Sequence, residues 1–261
     1  NIEGPIPDNI GKLTDLTFLD LSSNVKLSGQ PSSTTLDSMC QLTLLTTLKL
    51  QRTNTNGSIP ACLLTELKAL EELNLAETDV SGGISSSMNL PSLQKLDLDN
   101  TGLTGEIPAS LCLSTSLSFV NMRSTSINGS IPDCFFTELT ALKSVYLYST
   151  DLSGSLPSSM DLPSLQTLYL YSTDLSGSLP SPMNLPSLKD LRLYSTDLNG
   201  SLPSPMDLPS LQTLYLYSTD LSGSLPSSMN LPSLKDLRLS STGLTGEIPA
   251  NLCLSTSLSY V

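Results

Sequence analysis

The chain has 261 residues, of which 38% are hydrophobic, 14% charged and 5% aromatic, and it contains neither Trp nor His. This composition is apolar enough for a large core and too low in charge for intrinsic disorder. The lack of histidine excludes Ser-His-Asp and Cys-His nucleophile pairs, His-ligated zinc and imidazole acid-base catalysis, so neither an enzyme nor a bound cofactor is expected. The net charge of −12 has the wrong sign for a phosphate backbone, so nucleic acid is not an expected partner.

Apolar runs in the chain are only a few residues long, so no membrane insertion is expected within this sequence. The sequence begins inside one repeat unit and stops inside a predicted strand, and neither end carries the polar cap that a repeat array needs. We therefore expect residues 1–261 to be one repeat array within a longer chain.

A repeat of about 23 residues organises the whole chain, with the general form LxxLxLxxTxLxGxLP. Eleven strand positions follow in chain order, each marked by the first leucine of its unit: Leu16, Leu45, Leu70, Leu93, Leu117, Leu142, Leu165, Leu188, Leu211, Leu234 and Leu258. The LxL core, such as Leu168 and Leu170, alternates as a strand with one buried face does. The Gly and the two prolines that follow predict a turn and an irregular return segment instead of a long helix.

One strand per unit, always in the same direction, predicts a parallel sheet with the return segments behind it. The LxxLxLxx pattern and the LxGxIP segments, such as residues 103–108 and 244–249, resemble the leucine-rich repeat family and its plant-type extracellular subclass. The resemblance implies an α/β-type solenoid, a leucine-rich repeat superhelix with a concave parallel β-sheet and irregular or 3-10 convex return segments.

The position after the strand carries Asn in the family, but here only Asn24 matches it. The other units have Thr: Thr53, Thr78, Thr101, Thr125, Thr150, Thr173, Thr196, Thr219 and Thr242. An amide both donates and accepts hydrogen bonds, whereas a hydroxyl has one donor hydrogen. We therefore expect a threonine ladder with fewer bonds between coils.

Cysteines occur at matching positions of neighbouring units. Cys40 and Cys62 are 22 residues apart, as are Cys112 and Cys134, whereas the partner of Cys253 would fall beyond the sequence. This spacing predicts two disulfides on the return side, although small buried thiols are the alternative. No metal site is expected, because no CxxC pattern and no His accompany the cysteines.

Three Asn-Gly-Ser sequons share one position of the repeat, at Asn56, Asn128 and Asn199. Because the position is a predicted turn, we expect glycans on one flank of the array. Together with the predicted disulfides, the sequons indicate an extracellular or secretory-pathway protein.

Tyrosine is concentrated at the outward positions of the strands in the second half of the chain. The residues predicted to contact a partner are Tyr146, Tyr148, Tyr169, Tyr171, Arg192, Tyr194, Tyr215, Tyr217 and Arg238. Stacked tyrosines also stabilise a sheet through cross-strand contacts, so packing is the alternative role. The strand face carries basic and acidic residues in nearly equal numbers, whereas the rest of the chain is strongly acidic. This difference indicates a recognition surface.

A column of aspartates follows the threonines, at Asp151, Asp174, Asp197 and Asp220. Calcium between coils is one interpretation of such a row. We favour a solvated acidic edge, because no second set of carboxylates converges on it.

Taken together, these features favour a non-catalytic extracellular module that binds a protein, peptide or glycan partner on the concave sheet. The main alternative is a structural scaffold or spacer in an extracellular filament or large assembly, with lateral contacts to other chains, because near-identical coils supply length and regular packing. An ice-binding lattice of repeated hydroxyls is disfavoured, since Ser149, Ser172, Ser195 and Ser218 lie beside bulky tyrosines.

Overall fold

The computed structural model describes residues 2–28, 35–255 and 257–260 of the chain. It has two compact units, Asn1–Asn128 and Gly129–Val261. Both are built from the same coil, in which a first strand, a tight turn, a second strand and a return segment follow one another. The predicted parallel-sheet solenoid is confirmed.

The first strands carry the LxL pattern and pair in parallel within each unit. In Asn1–Asn128 they are Phe18–Asp20, Thr47–Lys49, Glu72–Asn74, Lys95–Asp97 and Phe119–Asn121. In Gly129–Val261 they are Ser144–Tyr146, Thr167–Tyr169, Asp190–Arg192, Thr213–Tyr215 and Asp236–Arg238. Equivalent residues lie side by side, as Leu168 does with Leu191, and the last position is a single bridge between Asp236 and Tyr260. The repeat therefore places like positions in columns across the strands.

A second set of parallel strands follows the turn. In the first unit it comprises Glu3–Pro5, Lys26–Ser28, Asn56–Ser58, Asp79–Gly82, Gly102–Glu106 and, at the unit boundary, Ser126–Gly129. In the second unit it comprises Asp151–Ser155, Asp174–Gly177, Asp197–Gly200, Asp220–Ser224 and Gly243–Thr245. Their register is staggered by two residues per coil, so that Ser153 lies opposite Asp174 and Ser176 opposite Asp197.

A residue with positive φ joins the two strands of each coil, for example Ser172 at 54° and Ser195 at 53°. This left-handed residue turns the chain sharply and points the next side chain, a threonine, inward. Thr173 and Thr196 are accordingly buried, whereas the two serines are exposed.

The return segments contain short helices and short strands. The α-helices are Thr35–Met39, Ala61–Thr65 and Cys134–Thr137, and the 3-10 helices are Asp8–Lys12, Ala109–Leu113 and Ala250–Leu254. Where the repeat is most regular, the return is extended instead, and Met160–Asp161 pairs with Met183–Asn184 and Met206–Asp207 with Met229–Asn230. Prolines on both sides of these segments prevent longer helices.

Leucines of the first strand, the second strand and the return meet inside each coil. Leu165, Leu168, Leu170 and Leu175 of one coil are all at most 2% exposed. Each such side chain contributes on the order of 1.5–3 kcal/mol when buried. Because no single coil encloses its own leucines, stacking on the neighbouring coils supplies this burial.

The ladder threonines bond to their own coil. Thr173 Oγ1 donates to the carbonyl of Leu170 at 2.7 Å, and Thr196 Oγ1 donates to that of Leu193 at the same distance. Asn24 uses its amide differently, because its Nδ2 donates to Leu21 within the coil while its Oδ1 accepts the N–H of Ile2, 22 residues earlier. Asn24 therefore bonds to a neighbouring coil, whereas these bonds of Thr173 and Thr196 stay within their own coil.

Candidate functional site

The outward side chains of the second unit form two adjacent columns. We call Tyr148, Tyr171, Tyr194 and Tyr217 the tyrosine column. We call Tyr146, Tyr169, Arg192, Tyr215 and Arg238 the mixed column. Together they form the Tyr/Arg face. Backbone bonds between coils fix the spacing, for example from Leu170 N to Arg192 O at 3.0 Å and from Ser172 N to Tyr194 O at 3.1 Å.

Rings of the tyrosine column lie face to face. The ring centroids of Tyr148 and Tyr171 are 4.2 Å apart, those of Tyr171 and Tyr194 are 4.3 Å apart, and those of Tyr194 and Tyr217 are 4.4 Å apart. The planes of neighbouring rings differ by only 10° to 15°. Each inner ring is thus covered on both faces, and the column presents ring edges and hydroxyl groups to the outside.

The hydroxyl groups of Tyr148, Tyr171, Tyr194 and Tyr217 follow one another along the stacked rings of this column. Burial, followed by the neighbouring hydroxyl of Tyr148, raises the pKa of Tyr171, and burial also raises the pKa of Tyr194. Tyr171 and Tyr194 are therefore neutral at physiological pH, and their hydroxyls can donate and accept hydrogen bonds without carrying charge.

From Tyr169 onward, tyrosines and arginines alternate in the mixed column. The guanidinium carbon of Arg192 lies 4.5 Å from the ring centroid of Tyr169 and 5.1 Å from that of Tyr215. Arg238 lies 4.4 Å from the ring of Tyr215 and 4.9 Å from that of Tyr260. These distances are within the range of cation–π attraction, so the arginines are held between rings.

Aspartates two residues before the arginines, on the same strands, complete the arrangement. Arg192 Nε and Nη2 donate to the two carboxylate oxygens of Asp190 at 3.0 and 2.9 Å, and Arg238 binds Asp236 in the same way at 3.3 and 3.2 Å. The hydroxyl of Tyr169 donates to Asp190 Oδ2 at 2.6 Å. Burial, and then this bond, raises the pKa of Tyr169. The face is thus ordered internally, and both of its arginines are ion-paired.

Sequence reasoning placed Tyr169, Arg192 and Tyr215 side by side, and the structure brings them together. Sequence reasoning missed the hydrogen bonds that Tyr169 and Tyr215 donate to the aspartate of the next coil. The alternation of TLY and DLR strands, which repeats every 46 residues, was the available signal, because in-register pairing sets Tyr169 opposite Arg192 and diagonal to Asp190.

Ser240 occupies the position where the tyrosine column would continue. Together with Tyr217, Arg238 and Tyr260 it lines a cavity of about 430 Å³. The change from Tyr to Ser at the fifth position of an otherwise constant column was visible in the sequence.

The first unit carries ion pairs on the equivalent face. Lys49 Nζ lies 3.0 Å from Glu72, and Arg123 Nε lies 2.7 Å from Asp99, whose side chain is 7% exposed. Burial raises the pKa of the adjacent Asp97. The aromatic surface is therefore a property of the second unit, and we take that unit as the candidate site.

The remaining predicted positions lie away from this face. Asp151, Asp174, Asp197 and Asp220 are exposed at the start of the second strands. Within the described residues no group of three or more Cys, Asp or Glu side chains is arranged to hold a metal ion. The three asparagines of the sequons are also exposed on the second strands. Asn56 is the first residue of its strand, and Asn128 and Asn199 are the third residues of theirs.

Cys40 and Cys62 form a disulfide with a Cα–Cα distance of 5.5 Å. Cys112 and Cys134 are also disulfide-bonded. The side chain of Cys253 lies outside the described residues. Disulfides persist mainly outside the cell and in the secretory pathway.

A model of the Leucine Rich Repeat family matches residues 92–113. Receptor-like protein 35 of Arabidopsis thaliana is 32% identical over 180 residues, which are 59% of this chain and 19% of that protein. The chain thus spans about a fifth of the length of this relative. No helix in the part of the chain that the structure describes has the length and apolar character needed to cross a membrane.

Solved structures agree with this assignment. The Arabidopsis receptor kinase HAESA, determined in complex with the peptide hormone IDA and the co-receptor SERK1, superposes with a TM-score of 0.87 at 30% identity, over 99% of this chain and 44% of that one. A plant ice-binding protein has a TM-score of 0.73 at 24% identity, over 95% of this chain and 79% of that one, which shows the shared fold alone. The disulfides and the receptor-like relatives identify an extracellular or secretory-pathway chain. The family-model match, the receptor-like relatives and the shared fold support the predicted likeness of this chain to the leucine-rich repeat family and its plant-type extracellular subclass.

Proposed function

We propose that the chain is a non-catalytic recognition module that binds a protein or peptide partner outside the cell through the Tyr/Arg face. The observation that carries the proposal is the ordered set of half-buried tyrosines and ion-paired arginines on one unit. Tyr and Arg are the residue types that most often dominate interface energies. The HAESA ectodomain, which has the same fold, was solved with a peptide hormone.

The order within the face supports tight recognition. Side chains that are already held by stacking, ion pairs and hydrogen bonds lose little conformational freedom when a partner binds. The 2.6 Å bond from Tyr169 to Asp190 and the 4.3 Å stacking of Tyr171 on Tyr194 hold the rings in place without a partner. A partner therefore meets a preformed surface.

The same stacking favours a second candidate, a structural scaffold. Both ring faces of Tyr171 and of Tyr194 are covered by neighbouring tyrosines of the same chain, and near-identical coils suit a spacer. In that case the tyrosines stabilise the sheet, and other chains contact the flanks or the return side.

Replacing Tyr169, Arg192 and Tyr215 together by Ala separates the two candidates. Recognition predicts that the affinity for the partner recovered from native material falls by about 2 kcal/mol or more, while the fold persists because none of the three lies in the leucine core. The scaffold predicts a large fall in melting temperature with unchanged association. The matched control replaces Asp151, Asp174 and Asp197, which are exposed on the second strands, and should change neither quantity.

A further inference from the structure

The positive charges of the second unit are concentrated at its first strands. Gly129–Val261 contains five basic residues and eleven acidic ones. Each basic residue belongs to a first strand or directly precedes one: Lys143, Lys189, Arg192, Lys235 and Arg238. Of the acidic residues, Asp190 and Asp236 lie on first strands, and the others lie elsewhere in the coils. The first strands are therefore the basic part of an acidic unit, and such a part attracts anions.

Three lysines lie immediately before first strands, and we call Lys143, Lys189 and Lys235 the lysine edge. All three side chains are exposed. Arg192 and Arg238 are paired with aspartates, whereas the ion pairs found among the described residues of this unit include no lysine. The positive charge that remains unbalanced beside the Tyr/Arg face therefore belongs to the lysine edge.

Neutral amides hold two of the ammonium groups. Lys189 Nζ donates to Gln166 Oε1 at 3.1 Å, and Lys235 Nζ donates to Gln212 Oε1 at 2.9 Å. An ammonium group has three donor hydrogens, and an amide oxygen that accepts one of them leaves the charge in place. Both lysines are thus oriented and still able to pair with an anion.

The lysines of this edge recur in every second coil, 46 residues apart. Neighbouring parallel strands are about 4.8 Å apart, so successive lysines are about 10 Å apart along the sheet. A β-strand presents side chains on one face about every 7 Å, which does not match this spacing. A polyproline II segment presents every third residue on one side, about 9 Å apart, which does match it.

The neighbouring aromatic surface also favours this conformation. Tyr169 and Tyr215 recur with the same two-coil period and alternate with arginines. An α-helix with acidic residues seven positions apart would meet the lysine spacing, at about 10.5 Å. Aromatic surfaces, however, typically bind proline-rich segments, because such segments are already ordered before binding. The two surfaces together therefore favour a polyproline II segment over a helix.

We propose that the lysine edge binds a partner segment in the polyproline II conformation that carries an acidic residue at every third position. Each carboxylate pairs with one lysine, while the residues between the carboxylates pack against the Tyr/Arg face. The proposal deepens the proposed function and depends on it, because it names the chemistry of the partner segment.

Synthetic peptides test the lysine edge without the natural partner. Acetyl-(Glu-Pro-Pro)3-amide is titrated into the protein by calorimetry at low ionic strength. The competitors are an isomer with its three Glu residues adjacent, the analogue with Gln in place of Glu, an alanine-rich helical peptide with Glu at every seventh position, and trigalacturonate. We expect the Glu-Pro-Pro peptide to bind most tightly and to lose affinity as salt is added. Equal or tighter binding of any competitor would overturn the proposal.

Substitution of the lysines locates the site. A variant that combines Lys143→Gln, Lys189→Gln and Lys235→Gln should bind the Glu-Pro-Pro peptide about tenfold more weakly, because three exposed ion pairs are lost. Arginine at the same three positions keeps the charges and should preserve binding. Unchanged binding by the Gln variant would overturn the assignment to the lysine edge.

The matched control removes the same number of charges from the first unit. Lys12→Gln, Lys26→Gln and Lys68→Gln replace exposed lysines of Asn1–Asn128 and change the net charge equally. This control should leave binding of the Glu-Pro-Pro peptide unchanged. An equal loss of binding in the control would show that net charge, and not the lysine edge, attracts the peptide, and would overturn the proposal.

The natural partner provides the last readout. The proposal requires that the Gln variant of the lysine edge also weakens partner binding. A partner that binds this variant normally, but not the triple variant at Tyr169, Arg192 and Tyr215, would overturn the proposal and leave the proposed function standing. A partner insensitive to both variants would contradict the proposed function as well.

Discussion

The hydroxyl of Tyr169 donates a hydrogen bond to Oδ2 of Asp190, 2.6 Å away on the next coil, and Arg192 binds the same carboxylate. Tyr215, Asp236 and Arg238 repeat this arrangement two coils later. One aspartate therefore links a tyrosine of one coil to an arginine of the next, and the structural unit of the face is a pair of coils.

Replacing Asp190 by Ala should lower the pKa of Tyr169. A nearby carboxylate disfavours the negatively charged phenolate, so its removal makes the hydroxyl more acidic, although the effect of burial remains. The variant also leaves Arg192 without its ion-pair partner, and we expect it to lose about 1–3 kcal/mol of unfolding free energy. Ultraviolet titration of tyrosine and urea unfolding measure the two effects.

Asp151→Ala is the control for this experiment, because that aspartate is exposed on the second strand. It should change neither the tyrosine titration nor the stability. An unaltered titration curve in the Asp190→Ala variant would show that the hydrogen bond has no influence on Tyr169.

Alkaline pH should destabilise the protein through the tyrosine column. Burial raises the pKa of Tyr171 above its ordinary value of 10.0. Above pH 10 the unfolded chain therefore loses this proton while the folded chain keeps it, so the unfolding free energy falls as pH rises. Below pH 10 both states keep the proton, and stability should not depend on this group.

Tyr171→Phe keeps the ring and removes the ionisable hydroxyl. Unfolding by urea at a series of pH values should show a shallower loss of stability above pH 10 for this variant than for the parent chain. Identical slopes would contradict the assignment of this pH dependence to Tyr171.

Much of the fold could be predicted from the sequence, because the leucine period is constant. The alternation at Leu168 and Leu170 predicts the strand, and the fixed spacing predicts that Tyr169, Arg192 and Tyr215 are neighbours. The ring geometry could not be predicted, since face-to-face and edge-to-face packing both fit the same Cα spacing. Tyr148 and Tyr171 stack at 15°, whereas Tyr146 and Tyr169 meet at 79°.

The return segments were harder to predict. Strands such as Met160–Asp161 have only two residues, which is too short for a hydrophobic period to be recognised. The 3-10 helix Ala109–Leu113 follows a proline, which fits the first turn of a helix as well as an extended segment.

The cysteines give a separate test. Peptide mapping under non-reducing conditions should recover Cys40 linked to Cys62 and Cys112 linked to Cys134. Replacing Cys40 and Cys62 by Ser should lower the unfolding free energy by about 3 kcal/mol, because the bond closes a loop with a sequence separation of 22 residues. Free thiols at all four positions in native material would contradict both this prediction and the extracellular assignment.

Glycans are expected on Asn56, Asn128 and Asn199. All three side chains are exposed on the second strands, and a sugar on Asn199, which shares its unit with the Tyr/Arg face, would leave that face open. Mass spectrometry of peptides from native material should detect modified asparagine, and enzymatic removal of the sugars should leave partner affinity unchanged. Unmodified asparagine at all three positions would count against this prediction.

Recognition through the Tyr/Arg face is tested most directly by hydrogen–deuterium exchange with and without the bound partner. The account predicts that protection from exchange increases in residues 167–171, 190–194 and 213–217, where the two columns lie. Protection confined to the second strands or to the return segments, with no change in these three stretches, would contradict it.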